Sequence, residues 1–192
     1  MVPRHESPPG IGPHHPLRLL FARLCRRALL QEVGLGEPQV AAYLADLLTR
    51  FTHRDNLYRI RDAAGRPLQD LGEMLLESDP RSRASSFERE REVRRHMGDT
   101  TLFFLGLFPE YLGRHATTLI SDMFLDWSQV GRDSYRIVAA FNIGPHAEEA
   151  PLFAKLSEHF EFCALGLNHV KRELERMGDP TARALRDAFG EE

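Results

Sequence analysis

Cysteine is scarce in this chain of 192 residues: Cys25 and Cys163 are the only two, and no CxxC pair occurs. That excludes a disulfide-stapled scaffold and a thiolate zinc centre. Long apolar runs are missing too. No stretch approaches the roughly 18 apolar residues of a membrane-spanning helix, and the N-terminus lacks an apolar signal region with a small-residue cleavage site. An excess of charge is also absent. The formal net charge is −3, so no overall field points to nucleic acid. There is no Walker loop, no GxGxxG, no GxSxG and no HExxH. Glu-x-x-His, which di-iron bundles need on two helices, does not occur once. Both cysteines fall on apolar helical faces and are expected to be buried and reduced. Together these absences give the expectation of a cytoplasmic protein with no cofactor and no nucleic-acid partner.

What the sequence does contain is helical patterning, organised around residues 98–111 (Gly-Asp-Thr-Thr-Leu-Phe-Phe-Leu-Gly-Leu-Phe-Pro-Glu-Tyr). Leu102, Phe103, Phe104, Leu105, Leu107 and Phe108 leave almost no polar side, and an element that is apolar all round is buried on every side. Gly98 and Gly106 allow a neighbouring element to approach closely. Pro109 disfavours helical geometry at Phe108 and ends or bends the element. The periodic pattern runs back to Phe87, so the stretch reads as the second half of a central helix. Its first half is charged, with Glu90–Arg94, Glu88–Arg91 and Glu92–Arg95 at pairing distance along one helix. Ser85 or Ser86 supplies the N-cap.

Residues 1–16 are rich in proline and histidine and read as a disordered tail. Leu17, Leu20, Phe21, Leu24, Cys25, Ala28 and Leu29 form one helical face, with arginines mostly off it. Docking of that face onto the core is expected, rather than peripheral membrane contact through 17–30. Gly34 and Gly36 stop this helix, and Pro38 opens the next, whose stripe is Val40, Tyr43, Leu44, Leu47, Leu48 and Phe51. Residues 57–67 alternate instead and read as a short extended segment or small hairpin. A short helix follows over 68–75. Residues 115–128 and 130–142 carry two further apolar helical runs, and 181–189 a last short one.

The most regular signal lies near the C-terminus. Phe153, Phe160, Leu167 and Leu174 are seven apart, and Leu156, Cys163, Val170 and Met177 form a second series three residues on, an a/d seam. Phe162 and Leu165 add a second strip. A long C-terminal helix is expected, whose far end projects or meets a second subunit. No repeat of 20–50 residues occurs.

Candidate sites follow from chemistry placed at helical spacing. Glu92, His96 and Asp99 can share one helix face, where carboxylates hold a histidine for acid–base work or, with His159 from another helix, for a metal. His169 is a further histidine near the second strip. Tyr111, Trp127 and Tyr135, with Arg132 and Arg95 supplying charge, can line a ligand pocket between helices. Each also has a purely structural reading, as a satisfied histidine or a helix-junction aromatic. The arginines at 81, 83, 89, 91, 94 and 95 could grip phosphate. Glutamates interleaved with them favour a solvated face instead.

Gly98-Asp-Thr-Thr-Leu-Phe-Phe-Leu-Gly-Leu-Phe-Pro-Glu110, Gly131-Arg-Asp-Ser-Tyr135 and Leu152-Phe-Ala-Lys-Leu-Ser-Glu-His-Phe160 together resemble a group of bacterial all-helical proteins of about this length. The resemblance covers roughly residues 38–175. No activity, cofactor or catalytic residue comes with it, so it implies only that the central stretch is a signature of the fold. The expectation is an all-α, single-domain multi-helix bundle over 17–192, acting as a non-catalytic interaction or assembly module and forming a homodimer. The alternative is a bundle that binds a small ligand or metal through His96 and Asp99.

Overall fold

The structure, a computed structural model, describes residues 12, 14–68, 71–79, 86–109 and 120–189; of residues 120–125, 182, 185, 186, 188 and 189 it describes the backbone. It is a helical bundle. Helix α1 (Pro16–Arg27) continues as a π-helical stretch (Ala28–Val33) that ends at Gly34, whose φ of 79° is the left-handed conformation glycine adopts without strain. Helices α2 (Pro38–Phe51), α3 (Arg54–Leu57) and α4 (Leu71–Glu77) follow. Next come the long helices α5 (Phe87–Leu107) and α6 (Ile120–Ala140). Helices α7 (Ala150–Glu158), α8 (Phe160–Arg176) and α9 (Pro180–Phe189) close the chain.

Helix α5 is a central post, packed chiefly against α6 and α8 and touched by α2 and α4. Ser86 caps it, its hydroxyl accepting from the Arg89 N–H at 3.1 Å. Phe87 stands in solvent, and from His96 to Leu107 every residue is buried. Phe103 is fully covered and meets Phe51 of α2 edge-to-face at 5.2 Å between centroids. Burial of such a ring contributes about 1.5–3 kcal/mol. The two glycines of the helix mark close approaches. A Cβ at Gly98 would stand 2.6 Å from the Tyr135 ring, and one at Gly106 would stand 2.5 Å from Leu167.

Three sequence expectations need correction. Residues 115–119 lie outside the described residues; from Ile120 to Ala140 the two runs expected over 115–128 and 130–142 form the single helix α6, unbroken at Gly131. This glycine makes room for Phe160, whose ring would lie 2.3 Å from a Cβ there. The long C-terminal helix is interrupted at His159 (φ −108°, ψ 27°), which divides it into α7 and α8. The α5 charges pair across the fold more than along the helix: Arg91 with Glu149, Arg89 with Glu77 and Glu92 with Arg59 reach other segments, while Glu92 with Arg89 runs along α5.

Residues 60–68 make the small hairpin in its shortest form. An isolated antiparallel bridge joins Arg61 and Pro67, and the Leu68 N–H donates to the Ile60 carbonyl at 2.8 Å. Ile60, Leu68 and Met74 pack with Val93 and Met97, anchoring this turn and α4 on the outer half of α5. The C-terminal seam is spent inside the chain. Leu167 and Leu174 are 0 % and 1 % exposed, so that seam offers no apolar surface to a second subunit before Met177.

Candidate functional site

Asp99 lies within the apolar stretch of α5, where a carboxylate stays ionised only with donors around it. Two helices supply them. Tyr43 of α2 donates to Oδ1 at 2.6 Å, and Tyr135 of α6 donates to the same oxygen at 2.8 Å. Arg50, two turns beyond Tyr43, donates from Nη1 to Oδ2 at 3.0 Å. Arg95, one turn before Asp99, donates from Nε to the Tyr43 hydroxyl at 3.3 Å, and its guanidinium stands 5.3 Å from the Phe153 ring centroid. The carboxylate is fully buried, whereas Arg50 and Arg95 keep an edge in solvent.

The electrostatics follow from this placement. Burial pushes the Asp99 carboxyl up, but the Arg50 and Arg95 guanidiniums and the two phenols outweigh it and hold the group below the ordinary carboxylate range. Burial, reinforced by the Asp99 charge, pushes both tyrosines up, so they stay protonated donors. No member of the cluster titrates near neutrality, as a general acid or base requires. The cluster ties α2, α5 and α6 together.

His96 sits one turn away and faces elsewhere. Its Nε2 lies 2.9 Å from the Leu57 carbonyl, which places the ring proton on Nε2. Nδ1 then accepts from Arg59 Nε at 3.4 Å. Burial, with the nearby Arg59 charge, lowers the imidazole to about 4. Glu92 projects to the surface. His159 stands at the α7–α8 break with its ring 6.3 Å from that of Phe162. Glu92, His96, Asp99 and His159 thus have separate partners, and among the described residues no group of three His, Cys, Asp or Glu converges as a metal site.

The expected aromatic pocket is divided in the same way. Tyr135 turns inward to Asp99, Trp127 meets Phe104 edge-to-face at 6.1 Å, and Arg132 reaches Glu161 at the surface, 3.3 Å away. Tyr111, Arg81 and Arg83 lie outside the described residues. Of the expected residues, Arg95, Asp99 and Tyr135 come together. Tyr43 and Arg50 are the members that sequence reasoning missed. Their spacing of seven puts both on one face of α2, a hydroxyl and a cation on a stripe entering the core, and that was the available signal.

Cys25 and Cys163 are buried and free. Burial raises both thiols, Cys163 to about 12, which leaves neither as a ready nucleophile. No helix among the described residues is long and apolar enough to cross a membrane. Comparison with family models, with curated proteins and with solved structures gives no match.

Proposed function

We propose that this protein is a non-catalytic interaction module: a helical scaffold whose buried polar groups hold the fold together while an outer face carries binding. One observation supports this above the others. Asp99 and His96, the interior groups best suited to chemistry, are committed to Tyr43, Tyr135, Arg50, Leu57 and Arg59. Some of the charged and apolar side chains without such commitments stand outside on α1 and α8. Arg26 and Arg172 have no ion-pair partner among the described residues, Arg23 stands in the field of Glu173, and Phe162 and Leu165 stand about half exposed.

Native mass spectrometry of the protein purified without a tag tests the proposal. The expected masses are those of the bare chain or of the chain with macromolecular partners, including further copies of itself. A small organic molecule or metal retained in stoichiometric amount, and lost in Asp99→Asn or His96→Gln, would contradict it.

A further inference from the structure

Helices α1 and α8 lie side by side, and each turns a mixed ridge to solvent. On α1 and its π-helical continuation, Leu19, Arg23, Arg26 and Leu30 recur at steps of four, three and four, opposite the buried Phe21, Leu24 and Cys25. On α8, Phe162, Leu165, His169, Arg172 and Arg176 recur at steps of three and four, opposite the buried seam. Leu19, Phe162 and Leu165 are 55 %, 52 % and 46 % exposed. Glu161, beside Phe162, is drawn towards α6 by Ser128 and Arg132.

A groove of about 230 Å³ runs between the two helices, with Arg27, Glu32, His169, Arg172, Glu173 and Arg176 on its walls. An adjoining hollow on α1 adds Arg23 and Arg26. The two glutamates are shared, Glu32 with Arg27, and Glu173 with Arg27 and Arg176. Five arginines thus face two glutamates, an excess of three positive charges on a chain whose net charge is −3. The groove's apolar lining residues, Leu24, Ala28 and Val170, are covered at 4 %, 4 % and 1 % exposure. There is accordingly no slot for the side-chain anchors of a helical peptide. The apolar side chains stand proud on the ridges instead, next to long cationic ones.

We infer that this two-helix face docks on an anionic phospholipid surface, with the arginines meeting headgroup phosphates and Leu19, Phe162 and Leu165 entering the headgroup boundary. The inference rests on the interaction-module reading and names its partner. Guanidiniums pair with phosphate oxygens bidentately. Basic side chains beside Leu and Phe are the composition that binds anionic membranes in the interface plane.

Sedimentation with vesicles tests it, comparing phosphatidylcholine alone with phosphatidylcholine containing about one-third phosphatidylserine. The full chain should sediment with the anionic vesicles only and release as salt is raised. The triple variant Arg23→Glu, Arg26→Glu, Arg172→Glu should partition at least about tenfold less. A control with the same change of charge elsewhere, Arg54→Glu, Arg66→Glu, Arg136→Glu, should bind like the parent. Circular dichroism checks that both variants keep the fold, and Phe162→Ser gives an independent loss of binding without altering charge. Equal binding to both kinds of vesicle, equal losses in both triple variants, or release by inorganic phosphate at constant ionic strength would overturn the inference. So would absence of vesicle binding. If, in that case, the protein is a dimer that Phe162→Ser disperses, the face belongs to a second copy, and the interaction-module reading stands without the lipid.

Discussion

Tyr43 and Asp99, 56 residues apart in sequence, meet in a 2.6 Å hydrogen bond in the middle of the bundle. Tyr135 and Arg50 complete the shell around the carboxylate. Removing the carboxylate strands two phenols and a guanidinium. Asp99→Ala should therefore cost about 3–5 kcal/mol, the penalty of an uncompensated buried charge. The midpoint of urea unfolding measures it. A loss under about 1 kcal/mol would mean that the shell does not hold the helices.

Tyr43→Phe isolates one bond of that shell. It removes a donor to Asp99 and an acceptor for Arg95 while the ring stays in place. Hydrogen bonds to charged groups contribute about 1.5–3 kcal/mol. A loss in that range is expected, and the double variant with Asp99→Ala should lose less than the sum of the two.

Acid should weaken the fold in two stages. His96 is neutral in the folded chain down to about pH 4, against an ordinary value of 6.5. Between those values the unfolded chain binds the extra proton, so stability is full above about pH 6.5 and falls as the pH drops towards 4. The shift corresponds to roughly 3 kcal/mol. Asp99 has a lowered value, so its contribution persists above the ordinary carboxylate range and is lost only as the pH falls further. Urea midpoints from pH 7 to pH 4 should decline, and His96→Gln should flatten that decline. An unchanged slope in the variant would contradict the buried neutral assignment.

The helices were legible because burial imposes a period. The stripe from Phe21 to Leu29, the stripe from Val40 to Phe51 and the run from Leu102 to Phe108 each predict the buried face that is found. The breaks were less legible. His159 interrupts a sevenfold series that continues across it unbroken, and the two runs on either side of Gly131 do not show that Phe160 occupies the space of its missing side chain. Asp99 stood out in sequence as an acid inside an apolar run. Two of its three donors, Tyr43 and Arg50, did not, because nothing local pairs α2 with a residue on α5. His96 was grouped with Glu92 and Asp99 by spacing alone. In the fold the Leu57 carbonyl and Arg59 claim it, and both come from a segment whose position the helical period does not encode.

Gly98 puts tertiary packing against local propensity. Alanine is favoured over glycine in a helix by about 1 kcal/mol. At Gly98 its Cβ would meet the Tyr135 ring at 2.6 Å, and that ring is fully buried with its hydroxyl held on Asp99. Overpacking should win, so Gly98→Ala should destabilise by about 1–3 kcal/mol. A more stable variant by differential scanning calorimetry would show that Tyr135 can move aside freely.

The most direct test of the division between a closed interior and a binding face is amide hydrogen exchange with and without phosphatidylserine-containing vesicles. Added protection is expected in α1 and α8, with α2 and the Asp99 region of α5 unchanged. Protection centred on Tyr43, Arg50 and Asp99, or no protection on α1 and α8, would contradict that division.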